Sequence, residues 1–162
     1  MKTNNILTLI MVIVLGSCVS IKTNKPTMLS HNPNYKELKS LNNDTLRYVK
    51  YNFYENQHFY TGKSLKVLFN DLEARIVSFT ISSMINPIEK SDGVSLTIRY
   101  TKYEEEKTNY MKLIIKFDQL YDYDDALELY DSSADPNWGK AQEDFYKDFI
   151  VKEIFIYVPE EH

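Results

Sequence analysis

Val94-Ser95-Leu96-Thr97-Ile98-Arg99-Tyr100-Thr101 alternates apolar and polar side chains without a break. A strand turns successive side chains to opposite faces, so this stretch offers one face to a core and one to solvent. The pattern recurs on both sides of it. Upstream, Val77, Phe79 and Ile81 alternate with Ser78, Thr80 and Ser82. Downstream, Met111, Leu113, Ile115 and Phe117 alternate with Tyr110, Lys112, Ile114 and Lys116. Three such stretches predict an antiparallel meander covered on one side. Asp92-Gly93 reads as the turn into the second strand, and Glu104-Glu105-Glu106-Lys107-Thr108-Asn109 as the hairpin loop into the third. The last strand, Val151 to Val158, is apolar on both faces, with Ile154 and Ile156 on one and Phe155 and Tyr157 on the other. That predicts an interior strand, or one covered by a helix.

Helical patterns flank the meander. Asn43 or Asp44 can cap a helix running to about Gln57, with Leu46, Val49 and Phe53 on one stripe. Tyr48, Tyr51 and Tyr54 fall on adjoining faces and read either as a broadened apolar stripe or as a partner-binding face. Thr61-Gly62-Lys63-Ser64 opens a second helix, in which Leu65, Leu68, Phe69 and Leu72 repeat at the spacing of one buried face. Asp122 can cap a short helix over about 124–131. Asp135-Pro136 reads as N-cap and first position of another, with Trp138, Ala141, Phe145 and Phe149 as its stripe. The order ααβββααβ predicts a two-layer α+β domain: an antiparallel sheet of about four strands with helices packed on one face.

At the N-terminus, Lys2 precedes an 11-residue apolar run, Ile6 to Gly16, and the small residues Gly16 and Ser17 precede Cys18. This is the three-part layout of an export signal, too short for a spanning helix. Leu15-Gly16-Ser17-Cys18 resembles a bacterial lipobox. The resemblance implies that the Cys18 thiol receives a diacylglyceryl group, that the chain is cut before Cys18, and that the new amine is acylated. Cys18 is the only cysteine, so it forms no disulfide within the chain. Two or three acyl chains anchor stably, at roughly 0.8 kcal/mol per buried methylene.

The frequent Asn, Lys, Ile and Tyr, with few Gly and Pro, are similar to the usage of AT-rich Bacteroidota-type genomes. No acidic run follows Cys18 (Val19-Ser20-Ile21-Lys22-Thr23-Asn24), and no Asp stands next to it. By resemblance to known sorting rules, the lipidated chain is expected at the periplasmic face of the outer membrane. The expected organisation is a signal peptide over 1–17, a lipidated N-terminus and flexible tether over 18–34, and a single α+β domain over 35–162. The sixteen tether residues Val19 to Asn34 reach at most about 55 Å, and roughly 20–25 Å on root-mean-square average. His31 lies in this tether with no visible partner. Tyr60-Thr61-Gly62-Lys63, followed by an amphipathic helix, resembles small Bacteroidota lipoproteins, and the resemblance implies no activity.

A net charge of −4, which becomes −5 if Lys2 leaves with the signal, carries no nucleic-acid footprint. Thirteen Tyr and eight Phe read mainly as core and sheet residues. Gly62-Lys63-Ser64 matches the tail of a phosphate-binding loop, but the glycine needed five residues earlier is Gln57. Asp118, Asp122, Asp124, Asp125, Asp131 and Asp135 cluster without the glycine and terminal Glu of a calcium loop, and read as helix caps and solvated loop. His31, His58 and His162 have no metal-ligand spacing, and no Gly-x-Ser-x-Gly elbow exists. Neither a cofactor nor a metal is expected.

The uncovered sheet face should carry Ser78, Thr80, Ser82, Ser95, Thr97, Arg99, Thr101, Lys112 and Lys116. Arg99, Lys112 and Lys116 are the candidate partner-binding residues, and the alternative is a solvated face rich in β-favouring Thr. The expected function is that of a non-catalytic, membrane-tethered envelope lipoprotein, a binding or accessory subunit of an envelope complex. The alternatives are a periplasmic immunity or inhibitor protein that neutralises a toxin or a hydrolase, and an enzyme whose site leaves no motif.

Overall fold

The computed structural model describes residues 31–82, 89–101, 108–131 and 137–159. Four strands, β1 (Ile76–Ser82), β2 (Lys90–Thr101), β3 (Thr108–Asp122) and β4 (Val151–Tyr157), pair antiparallel in chain order. Helix α1 (Thr45–Val49) runs into a π turn over Lys50–Glu55, followed by α2 (Leu65–Asp71), α3 (Tyr123–Asp131) and α4 (Lys140–Tyr146). This is the expected α+β fold, a four-stranded antiparallel sheet with helices.

The alternation places Val94, Leu96 and Ile98 of β2 beside Met111, Leu113, Ile115 and Phe117 of β3. All are essentially buried, against Tyr48, Val49 and Phe53 of the first helical segment and Leu65 and Leu68 of α2. A second part of the core is aromatic. Tyr146 stacks on Phe117 and on Trp138, each with ring centres 6.0 Å apart, and meets Tyr121, Phe145 and Phe149 edge-on.

Asp44 caps α1 by accepting from the Arg47 amide at 2.9 Å, and Asp122 caps α3 by accepting from the Asp124 amide at 3.1 Å. The π turn adds a residue to the helical repeat. Tyr48 of α1 is fully buried in the core beside Val49 and Phe53, whereas Tyr54, within the π turn, is exposed, so the three tyrosines share no face.

Four expectations are corrected. Asp92-Gly93 is not a turn: it lies within β2, where the register slips between Ser91 and Gly93. Gly93 is needed for close approach, since a Cβ there would stand 2.5 Å from the Ile115 carbonyl oxygen. β4 is an edge strand, not an interior one. Its outer edge is occupied by the 57–64 loop: Gly62 N donates to Val151 O at 2.8 Å, Val151 N to Lys63 O at 2.9 Å, and Ile154 N to Gln57 Oε1 at 3.2 Å.

The stripe of α4 holds at Trp138, Phe145 and Phe149, which pack against the core, and fails at Ala141, which is exposed. The fully buried positions are Gln142 and Tyr146, in a helix that starts at Lys140 with Gln142 Oε1 accepting from Gly139 N. Asp135-Pro136 lies outside the described residues, as do Glu104 to Lys107 of the expected hairpin loop, while its last two positions, Thr108 and Asn109, are already paired in β3. Finally, residues 31–34, read as tether, are part of the folded body: Asn32 is buried and His31 has a partner.

Candidate functional site

Two polar assemblies stand apart from the apolar core. The first centres on Asp71, the last residue of α2, whose carboxylate is fully buried. It lies on the apolar side of α2, three residues after Leu68. His31 Nδ1 lies 2.5 Å from Oδ1. Asn32 N and the Tyr60 hydroxyl donate to Oδ2 at 3.0 and 2.9 Å, and Asn70 Nδ2 to Oδ1 at 3.3 Å. The Asp71 carbonyl accepts from the Tyr48 hydroxyl, which itself accepts from Glu73 N at 2.9 Å. Burial, before any other influence, pushes the Tyr48 and Tyr60 hydroxyls above the ordinary tyrosine range, so both remain neutral donors.

Asn52 extends the assembly. Its side chain accepts from Lys36 N and donates to Lys36 O, both at 2.9 Å, pairing with the backbone as a strand would. Asn34 Nδ2 donates to Asn56 Oδ1 at 3.2 Å. The segment 31–36 is thus held by side chains of the π turn and α2. An imidazole oriented by a buried carboxylate is also half of a hydrolytic triad. Among the described residues, however, His31 hydrogen-bonds only Asp71 and Asn70, with no hydroxyl or thiol in reach. This geometry anchors a segment.

The second assembly is the uncovered face of the sheet. Register places Arg99 beside Tyr110, Thr97–Lys112–Tyr157 in a row, Ser95–Ile114–Phe155 in the next, and Gly93–Lys116–Glu153 in a third. Tyr110 is 46 % exposed, Phe155 39 % and Tyr157 53 %, large values for aromatic rings on a single face. Ser95 is buried in the middle row, and its hydroxyl finds no hydrogen-bond partner among the described residues.

The three cations singled out from sequence divide here. Lys116 binds Asp92 at 2.6 Å and is largely covered, whereas Arg99 is exposed and Lys112 half-exposed. No ion pair to Arg99 or Lys112 is found among the described residues. Sequence reading missed the aromatic half of this face. The signal was present in the double-sided apolarity of 151–158, which suits an edge strand with one exposed apolar row as well as an interior strand.

The phosphate-loop lookalike takes another role. Gly62 has φ +76°, Gly62 and Lys63 pair with β4, and Lys63 Nζ sits 3.3 Å above the Phe59 ring. No group of three or more His, Cys, Asp or Glu side chains suited to a metal occurs among the described residues. Leu15-Gly16-Ser17-Cys18 lies outside them. No family model, curated protein or solved structure matches this chain.

Proposed function

We propose that this chain is a non-catalytic, lipid-anchored protein of the cell envelope, held at the periplasmic face of the outer membrane. It acts as a binding or accessory subunit, and the uncovered sheet face is its contact surface. The observation that carries this reading is the set of exposed rings, Tyr110, Phe155 and Tyr157, set beside Arg99 and Lys112, which have no ion-pair partner among the described residues, on a face that no described helix covers. Tyrosine and arginine are the residues through which protein contacts concentrate their energy. Anchoring rests on the lipobox resemblance at Cys18.

Two measurements test the reading. Cells fed an alkyne fatty acid should label the wild-type chain and not Cys18→Ser. Label retained by Cys18→Ser overturns the anchor. Phe155→Glu with Tyr157→Glu should lose the proteins that co-isolate with the wild-type chain after mild cross-linking. A folded double variant that keeps every one of them overturns the contact surface.

A further inference from the structure

The uncovered face is polarised along its strands. Arg99 and Lys112 stand towards one end, in the β3 rows of Tyr110 and Lys112; Glu153 stands towards the other, in the row of Lys116, with Asp118 beyond it next to core-facing Phe117. None of these four side chains has an ion-pair partner among the described residues. The row Ser95–Ile114–Phe155 lies midway between the two ends.

This arrangement is complementary to itself. Rotate a second face over the first about an axis that runs across the strands through the Ile114–Phe155 row. The row of Arg99 then faces that of Asp118, and the row of Lys112 faces that of Glu153, in which Lys116, directly opposite Lys112, is already neutralised by Asp92. In both pairs the acid lies one strand over from the cation, a lateral step of about 5 Å in the same direction, which a lysine or arginine spans.

We infer that the partner of this face is a second copy of the same chain, packed face to face about a two-fold axis with Phe155 near the axis. The inference rests on reading the face as a contact surface. An anionic membrane or an acidic protein covering the same area would meet Asp118 and Glu153 as like charges. The strip from Tyr110 to Leu120 is about 35 Å long and three strands, about 14 Å, wide, so its footprint is roughly 500 Å². That is below the ~800 Å² per partner of a stable free dimer, and two copies confined to one membrane gain the local concentration they need.

The test uses the full chain in its own membranes, with the wild-type chain as background for Cys18. Ile114→Cys, in the same row as Phe155, should give a homodimer with a short bis-maleimide linker, since packed sheets lie about 10 Å apart. Tyr54→Cys, exposed on the helical layer, should not. Adding Arg99→Glu should lower the cross-linked fraction roughly tenfold through like-charge contact with Asp118, and adding Asp118→Arg to that should restore it. Absence of an Ile114→Cys homodimer overturns the inference, as does failure of the second charge reversal to rescue the first. A mono-maleimide dye separates the two readings. If Ile114→Cys is shielded in membranes without forming homodimer, the contact surface stands and its partner is another molecule. If it labels as freely as Tyr54→Cys, both readings fall.

Discussion

The two faces of this sheet are built from the same four strands and carry opposite relations to stability. On the covered face, Leu96, Ile98, Leu113 and Ile115 are wholly buried and touch helices. On the other, Ile114, Phe155 and Tyr157 occupy equivalent strand positions with no described helix above them. An apolar side chain stabilises a fold in proportion to the area it removes from water, at roughly 25 cal/mol per Å². The covered rings therefore hold the domain together, and the exposed ones contribute little to it. Matched substitutions on the two faces put that contrast to the test.

The largest loss is expected at Tyr146. Tyr146→Ala removes a ring stacked between Phe117 and Trp138 and opens a cavity among four further aromatic neighbours. The cost should be about 3–5 kcal/mol, a large share of the ~5–15 kcal/mol that holds a domain folded. Urea unfolding measures it, and a loss under about 1 kcal/mol would falsify the assignment of Tyr146 to the centre of the aromatic core.

Asp71→Ala comes next, at about 3 kcal/mol, because the Asn32 amide and the Tyr60 hydroxyl are left buried without an acceptor. A purely apolar truncation on the covered face would not show its second consequence. Segment 31–36 should lose protection from hydrogen exchange while β2 and β3 keep theirs. Uniform loss across the chain would mean that Asp71 supports the whole core and is not a local anchor.

The buried tyrosines add a pH signature to the covered side. Burial is the leading cause that raises Tyr60, Tyr121 and Tyr146 above the ordinary value of 10.0. An acid whose folded value is raised stabilises the fold fully below its unfolded value and loses that contribution as pH climbs past it. Stability should therefore be insensitive to these groups up to about pH 10 and fall above it. Tyrosinate absorbance from the buried set should rise together with unfolding. Ionisation of all thirteen tyrosines in a chain that stays folded would contradict their burial.

How much of this was legible in the sequence follows from the range of each interaction. Strand alternation is local, so residues 94–101 and 111–117 show which side chains share a face, and Asp122 as a cap is legible because its bond reaches two residues. The Asp71 anchor joins positions 40 residues apart, and no local pattern reports that. A hint existed in an aspartate on the apolar side of α2, where a charge requires a buried partner. The Asp92-Gly93 dipeptide misleads because a bulge and a turn use the same glycine. The cation set was legible as a set, but the commitment of Lys116 to Asp92 depends on β2–β3 register.

The smallest effect on stability is expected where the exposed rings stand. Phe155→Thr with Tyr157→Thr keeps β-favouring residues at both positions, so the strand loses no intrinsic preference. What is lost is the cross-strand contact of Phe155 with Ile114 and of Tyr157 with Lys112, each worth roughly 0.2–1 kcal/mol. The hydrogen bonds between β3 and β4 are untouched, and Ile154 keeps its place in the core. Unfolding free energy should shift by no more than about 1 kcal/mol, while the cross-linked yield at this face, read in the Ile114→Cys background, should fall to background. A shift as large as that of Tyr146→Ala would show that the two faces are energetically alike and that Phe155 and Tyr157 are structural. A small shift with a complete loss of contact shows surface that the fold does not need and that binding does.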